Sequence, residues 1–195
     1  MGCDIHLMVE YDVAWAHGTS HRASDPLCAV PFGPGADPLA LSCGVIGIAR
    51  NYVLFAALAG VRNAGGVLPL FPPRGIPSNC SGAVFSQFHL HVQDRGKDER
   101  LRQRGIWRDE AKALVDKGGA IALGVRETGD PEAITDPAYH CASWLTRCEI
   151  LDDLRHADFD PADLCVGFRI VLDALRTLDD EYGAGHSRIV FAFDS

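Results

Sequence analysis

The sequence lacks the long apolar segments of membrane-spanning and exported proteins. No run reaches the roughly 18 uninterrupted apolar residues that a transmembrane helix needs. The N-terminus reads Met1-Gly2-Cys3-Asp4, without the basic segment and the apolar segment of a signal peptide. We therefore expect a cytoplasmic protein without a membrane partner.

Basic residues are in the minority. The 195 residues include 18 Lys+Arg and 26 Asp+Glu, which gives a formal net charge of −8. Proteins that bind long DNA or RNA collect Lys and Arg to neutralise phosphates, so this balance argues against a long nucleic acid as the partner. An anionic small molecule such as a nucleotide remains compatible, because two or three local arginines are enough to hold it.

Several familiar functional motifs are also missing. The seven cysteines form no CxxC pair, which removes the usual zinc ribbons and thioredoxin-like redox sites. The sequence has no GxSxG elbow, no Walker A loop, no GxGxxG fingerprint after a strand, no HExxH and no PCxxC deaminase motif. These motifs leave the cofactor unknown, with a divalent metal as one option, and the candidate functional residues come from residue spacing.

Hydrophobic periodicity predicts an α+β fold in a single domain covering residues 1–195. Hydrophobic residues make up 47% of the chain, enough for a sizeable core at this length. We expect a central, largely antiparallel sheet with helices packed on it and long loops rich in proline and glycine. Alternating apolar and polar residues predict strands at 3–15 and 83–92, and further strands are predicted at 120–125 and 188–194.

Helix signals lie between these strands, with predicted starts at Asn51, Asp94, Thr146 and Asp160. Asn51 is a favoured N-cap residue, and Gly60 suits the end of the same helix. Thr146 with Glu149 three residues later predicts a capping box. The remaining segments are expected to be irregular: the Pro/Gly-rich residues 24–44, the extended residues 69–77, the link around 129–131 and the polar loop at 139–145.

The first predicted strand carries an Asp-x-His pair. Asp4 and His6 are two residues apart, so both side chains leave the same face of a strand. This arrangement suits a carboxylate-oriented general base, a pair of metal ligands or a plain polar surface. Cys3 would point to the opposite face, which disfavours a mechanism with Cys3 as the nucleophile and His6 as its base.

Three further histidines are candidates for the same site. His89 and His91 repeat the i, i+2 spacing on the second predicted strand, and His140 precedes Trp144 in a predicted loop. If the two strands are neighbours, their polar pairs come within a few ångströms, close enough for a divalent metal or for an acid and a base. The alternatives are a solvated sheet face for His89 and His91 and packing on Trp144 for His140.

Boundary arginines and nearby aromatic residues are candidates for binding an anion. The candidate set is Arg50, Asn51, Tyr52, Arg62, Arg74 and Trp144. The arginines lie in polar or turn sequence, where a guanidinium can meet phosphate or carboxylate, and the helix start beside the first of them adds dipole attraction. The two aromatic residues could stack on a base. Ion pairs with acids and ordinary packing are the structural alternatives.

Several blocks of the sequence resemble one protein family. They are Gly2-Cys3-Asp4-Ile5-His6, Arg50-Asn51-Tyr52, Gly60-Val61-Arg62-Asn63, Pro73-Arg74-Gly75-Ile76-Pro77, Ser143-Trp144-Leu145-Thr146 and the closing Val190-Phe191-Ala192-Phe193-Asp194. The family consists of bacteriophage and prophage proteins, without an established activity, that open with the Gly-Cys-Asp-Ile-His motif. The resemblance implies a viral accessory function, including the destruction or sequestration of nucleotide signals in bacterial defence. This chain has Met8 where family members often carry a second histidine.

Residues and resemblance together support a hydrolase of a nucleotide-like or phosphodiester small molecule. In this hypothesis the arginines neutralise the phosphate and His6 with Asp4 acts as the base. The acid comes from His89, His91 or His140, or a divalent metal takes the place of one histidine. The alternatives are a protein that sequesters a nucleotide without chemistry and an interaction module that inhibits a host factor. The assembly state stays open, including a homo-oligomer.

Overall fold

The computed structural model describes residues 2–14, 20–24, 48–95 and 105–194. Within these ranges the chain forms five α-helices and two mostly antiparallel four-stranded sheets, so the predicted α+β class is confirmed. Two compact units are present, one made of Met1–Val84 with His140–Ser195 and one made of Phe85–Tyr139, and each contains one sheet. The Pro/Gly-rich segment predicted at 24–44 lies almost entirely outside the described residues.

In chain order the elements are β1 (Ile5–Ala14), β2 (Ser20–Ser24), α1 (Tyr52–Ala59), α2 (Gly82–Phe88), β3 (His89–Gln93), β4 (Gly105–Trp107), α3 (Arg108–Asp116), β5 (Ala122–Val125), β6 (Pro131–Thr135), β7 (His140–Leu145), α4 (Arg147–His156), α5 (Val166–Tyr182) and β8 (Ser187–Phe193). A short 3₁₀ turn, Pro161–Asp163, precedes α5. No helix among the described residues has the length and apolar character to cross a membrane.

The sheet of the first unit has the strand order β2-β1-β8-β7, and all its neighbours are antiparallel. β8 is buried along its whole length, as expected for a central strand. The predicted alternation of β1 is confirmed, because Leu7 and Val9 enter the hydrophobic core while His6 lies on the other face. The predicted terminal strand is also confirmed as β8.

Helices α1, α4 and α5 supply the other half of this core. Their buried residues include Phe55, Ile150 and Phe168, which belong to one cluster with Phe191 and Phe193 of β8. The rings of Phe55 and Phe193 meet edge to face at 5.1 Å. Burial of side chains of this size stabilises the fold by roughly 1.5–3 kcal/mol each. The helices therefore fix one face of the sheet and leave the face of His6 available for other contacts.

Helix α1 begins and ends where its sequence predicts. The Asn51 side chain accepts a hydrogen bond from the Leu54 N–H at 3.1 Å, and Gly60 adopts a left-handed conformation with φ of 68°. Every residue from Leu54 to Ala59 is buried. Both ends of this apolar helix are therefore set by local polar and backbone chemistry.

Replacing Asn51 by alanine is expected to reduce the free energy of unfolding by about 1 kcal/mol, because the Leu54 N–H loses its acceptor. Urea unfolding followed by circular dichroism measures this change. Asn51→Ser is the matched control, since serine also caps helices and should cost only a fraction of that amount. Equal losses in the two variants would show that the cap does not act through this hydrogen bond.

The second unit contains a sheet with the order β4-β3-β6-β5, in which only β3 and β4 are parallel. Its small core joins Val92, Ala111 of α3 and Ile134. The strand predicted at 83–92 is wrong in its first half, where α2 runs to Phe88, and only His89 onward is extended. The helix predicted from Asp94 is wrong at Gly105–Trp107, which forms β4.

Three further boundaries differ from the sequence predictions. The polar loop expected around His140 is β7, and the link expected near Pro131 is β6. Asp160 caps the 3₁₀ turn rather than α5, which begins at Val166. The Thr146–Glu149 capping box at the start of α4 is confirmed. The predicted strand near 120–125 is present as β5.

Residues 67–79, here called the proline strap, cross the first unit without regular structure, as their prolines predict. The strap is held by its backbone. The Leu70 N–H donates to Asp153 Oδ1 at 2.7 Å, the Arg74 N–H donates to Ser143 Oγ at 3.2 Å, and the Gly75 N–H donates to the Ala142 carbonyl at 2.9 Å. These contacts place Arg74 beside β7.

Candidate functional site

Asp194, one residue beyond β8, is the centre of the polar cluster at the end of the first sheet. β8 runs antiparallel to β1, so Asp194 lies opposite Asp4, whose N–H donates to Asp194 Oδ1 at 2.8 Å. His6 Nε2 lies 3.1 Å from Asp194 Oδ2. The Asp4 N–H, and then the His6 ring, hold the pKa of the Asp194 carboxyl below its ordinary value. An ionised Asp194 therefore orients His6, which is the role that the sequence predicted for Asp4.

Asp4 is instead engaged by Arg50. The guanidinium donates through Nε and Nη2 to the two carboxylate oxygens at 2.6 and 2.7 Å. This pair lowers the pKa of Asp4 and raises that of Arg50. Both side chains are about half exposed, so an incoming anion can reach the guanidinium.

Cys3 lies on the core side of the same strand end. Its side chain is fully buried in the hydrophobic cluster of the first unit. Burial raises the pKa of the Cys3 thiol, and a side-chain hydrogen bond to Arg62 opposes this only in part. Arg62 is exposed in the turn after α1, with a φ of 53°. A thiolate nucleophile is disfavoured here, in agreement with the direction of the sequence argument.

His140 reaches the same aspartate through the backbone. Its Nε2 lies 3.3 Å from the Asp194 carbonyl oxygen, and its ring stacks on Phe193 with centroids 6.1 Å apart. A carbonyl only accepts hydrogen bonds, so Nε2 carries a proton. His140 pairs in register with Phe193 and His6 with Ala192, so the two histidines approach Asp194 from opposite faces of the sheet.

We call Asp4, His6, Arg50, Arg62, His140 and Asp194 the Asp194 site. His89 and His91 are not brought to it by neighbouring strands, because β1 and β3 belong to different sheets. His89 is buried, its Nδ1 lies 3.0 Å from the Phe85 carbonyl and its ring packs on Phe85. Burial lowers the pKa of His89. His91 is exposed.

A second feature of the first unit is an open cleft of about 680 Å³, here called the Trp144 cleft. The Arg74 guanidinium lies 4.0 Å from the Trp144 ring centre and donates to both carboxylate oxygens of Glu149 at 3.0 Å. Glu149 has a lowered pKa although burial opposes this, because Arg74 and the Thr146 N–H both donate to its carboxylate. The ligand-binding candidates Arg74 and Trp144 thus lie together in this cleft. Among the described residues, no histidine lines it.

The floor of the cleft contains a buried ion pair. Arg188 donates through Nε and Nη2 to Glu10 Oε2 at 2.9 and 2.8 Å, and its guanidinium lies 5.3 Å from the Trp144 ring centre. The two side chains are 4% and 0% exposed. The Ser81 N–H donates to the other oxygen of Glu10. Sequence reasoning did not identify Glu10 or Arg188 as site residues.

The other ligand-binding candidates separate by location. Arg50 and Arg62 belong to the Asp194 site and Arg74 belongs to the Trp144 cleft, so the three arginines do not share one partner. Asn51 is occupied as the cap of α1. Tyr52 is 43% exposed and touches Phe55 edge to face. The single three-arginine clamp expected from the sequence is therefore divided.

The arrangement of potential ligand side chains does not support a metal site in the described part of the chain. Among the described residues, no three or more His, Cys, Asp or Glu side chains are placed to hold a metal ion together. A divalent metal stays a prediction.

Comparison with protein-family models, curated proteins and solved structures finds no match to this chain. The resemblance to bacteriophage and prophage proteins consequently remains an expectation.

The sequence contained one unused signal for Asp194. It follows an apolar terminal strand, and Asp4 precedes an apolar first strand, so antiparallel pairing of the two strands would place these residues opposite each other. Glu149 was recognised only as a capping residue. Its second role, pairing with Arg74, depends on the path of the proline strap.

Proposed function

We propose that the Asp194 site hydrolyses a small phosphodiester or nucleotide-like compound. The observation that supports this most is the His6–Asp194 contact, with Nε2 and Oδ2 at 3.1 Å and with side chains 34% and 40% exposed. A carboxylate that accepts a hydrogen bond from one ring nitrogen fixes the orientation of an imidazole. The exposure leaves the ring within reach of a small substrate.

The surrounding groups supply the other requirements of phosphodiester hydrolysis. His6 acts as the base that activates water. His140 lies on the opposite face of the sheet, so it acts as the second proton-transfer group on a substrate that extends around the strand end at Asp194. Arg50 and Arg62 neutralise the phosphate oxygens. An exposed ion pair such as Asp4–Arg50 contributes little stability, so the guanidinium can exchange the carboxylate for a phosphate at small cost. In a phage-type cytoplasmic accessory protein the substrate would be a cyclic nucleotide defence signal.

Replacing His6 by alanine is expected to lower kcat/KM at least about 100-fold, the lower range for loss of a general base. His140→Ala tests the second group separately. Hydrolysis is measured with bis(p-nitrophenyl) phosphate and with cyclic nucleotides, each with and without EDTA to test for a metal. His186→Ala is the matched control, because His186 is exposed and precedes the opposite end of β8.

Two outcomes would overturn the proposal. If the wild type hydrolyses none of these compounds but binds one of them, and His6→Ala binds it equally, sequestration replaces hydrolysis as the function. If a thermal-shift screen with cyclic and linear nucleotides finds no binding, the interaction-module hypothesis is favoured. An equal loss of activity in His186→Ala and His6→Ala would remove the assignment of His6.

A further inference from the structure

Arg188 has an unused donor group in the Trp144 cleft. Its side chain is 4% exposed and lines the cleft. Nε and Nη2 donate to Glu10, and Nη2 also donates to Asn79 Oδ1 at 3.1 Å, whereas Nη1 has no acceptor among the residues that the structure describes. Nη1 is therefore a donor that an acceptor entering the cleft would satisfy.

Two other cleft residues present donors of the same kind. Arg74 uses Nη1 and Nη2 for Glu149 and the Trp144 carbonyl, and its Nε has no acceptor within the described ranges. Asn79 accepts from Arg188 through Oδ1, so its Nδ2 remains a donor. The Trp144 ring contacts both guanidinium groups and holds them in place. The cleft thus presents three side-chain donor groups that have no acceptor among the described residues.

We infer that the Trp144 cleft binds a small molecule through an oxyanion, either a phosphate or a carboxylate, that accepts from Arg188 Nη1, Arg74 Nε and Asn79 Nδ2. Planar guanidinium groups match the oxygens of both anions. Glu10 and Glu149 already balance the two arginine charges, so recognition depends on directed hydrogen bonds more than on net charge. The volume of about 680 Å³ lies within the range of small-molecule sites.

This site is independent of the Asp194 site and does not rest on the proposed hydrolase function. Met8, Val190 and Ala192 lie on the sheet face between the two sites, and all three are buried. A ligand in the cleft therefore has no open path over that face to His6. The cleft corresponds to a second binding site, without a histidine for acid–base chemistry among its described lining residues.

Isothermal titration calorimetry at low ionic strength tests the inference with three probes: inorganic phosphate, AMP and citrate. The wild type is expected to bind at least one probe, and Arg74→Gln is expected to weaken that binding at least tenfold. Arg176→Gln is the matched control, since Arg176 forms an exposed i, i+3 pair with Asp173 on α5. Its affinity should equal that of the wild type. Comparison of phosphate and AMP with citrate distinguishes the two oxyanions.

A second variant protects the test against misfolding. Arg188→Lys keeps a positive charge beside Glu10 but removes Nη1, and it should also weaken binding at least tenfold. His6→Ala should bind as the wild type does, so failure here is distinguishable from failure of the hydrolase proposal. Absence of binding of all three probes to the wild type, or wild-type affinity in Arg74→Gln, would overturn the inference.

Discussion

Replacing Arg188 by methionine is expected to lower the free energy of unfolding by about 3–5 kcal/mol, because it leaves the Glu10 carboxylate buried without its counter-charge. Glu10 is 0% exposed, and Arg188 supplies its two shortest charged contacts, at 2.8 and 2.9 Å. The Ser81 N–H remains, but a single backbone donor does not offset the desolvation of a carboxylate.

The double variant Glu10→Leu/Arg188→Met separates the cost of an unpaired charge from the value of the pair. Removing both charges should recover most of the loss, since well-packed apolar residues often replace a buried ion pair without net cost. Urea unfolding of the wild type, both single variants and the double variant measures the coupling. Arg176→Met, from an exposed pair, should change stability by less than about 0.5 kcal/mol.

Additive losses in the two single variants, with no recovery in the double variant, would contradict this account. Such a result would show that the aliphatic and ring contacts of the side chains matter more than their charges. The Trp144 ring, which lies 5.3 Å from the Arg188 guanidinium, would then be the contact to examine.

The local sequence correctly predicts the parts of the fold that are determined by strand alternation and helix capping. β1 alternates because one face packs on the core, whereas β8 is buried along its whole length as a central strand. The Asn51 cap, the Gly60 end and the Thr146–Glu149 box are all formed by residues within four positions of each other. Such signals need no knowledge of distant partners. They give the ends of α1 and the start of α4.

The wrong boundaries at 83–92 and 140–145 have different causes, a local one in the first segment and a distant strand pairing in the second. At 83–92 the apolar spacing fits a strand, yet the Ser81 side chain accepts from the Val84 N–H and the Phe85 carbonyl contacts the His89 ring, so a helical turn forms first. At 140–145 polar residues conceal a strand. β7 is extended because it pairs with β8, almost 50 residues later, with a bulge between His140 and Ser143.

The sequence indicated several residues that gather at the Asp194 site, but it did not indicate which of them contact each other. Asp4, His6, Arg50 and His140 do gather near one end of the first sheet, but Asp194 joins them, and its sequence separation of 188 residues from His6 hides that contact from any local pattern. Arg74 and Trp144 form a different site, because the proline strap carries Arg74 along β7. Local spacing in the sequence indicates which residues are candidates for chemistry. The order of the strands in the sheet determines which of these residues contact each other.

Stability is expected to depend on pH through Asp153, the residue of α4 that accepts a hydrogen bond from the proline strap. This carboxyl is 1% exposed, Oδ1 accepts from the Leu70 N–H at 2.7 Å, and Oδ2 has no hydrogen-bond partner among the described residues. Burial raises the pKa of Asp153 to about 6, although the Leu70 and Phe71 amides oppose part of this increase. The folded state therefore binds a proton at Asp153 more tightly than the unfolded state does.

A raised pKa means that the contribution of Asp153 is most favourable below the unfolded value of 3.8 and is lost as the pH rises through about 6. The shift corresponds to about 3 kcal/mol. Asp153→Asn cannot ionise, so it should be more stable than the wild type by up to that amount at pH 8 and close to it at pH 4. Urea unfolding at each pH gives the difference between the two proteins.

Taking that difference removes the titration of all groups that the two proteins share, including the histidines. Asp152→Asn is the matched control, because the neighbouring Asp152 is 43% exposed and pairs with Arg155 on the surface of α4. Its difference from the wild type measures the effect of an aspartate-to-asparagine change on the same helix at an exposed position. A difference for Asp153→Asn that does not change between pH 4 and pH 8 would show that this carboxyl titrates near its ordinary value, and that the strap amides stabilise its charge as well as water does.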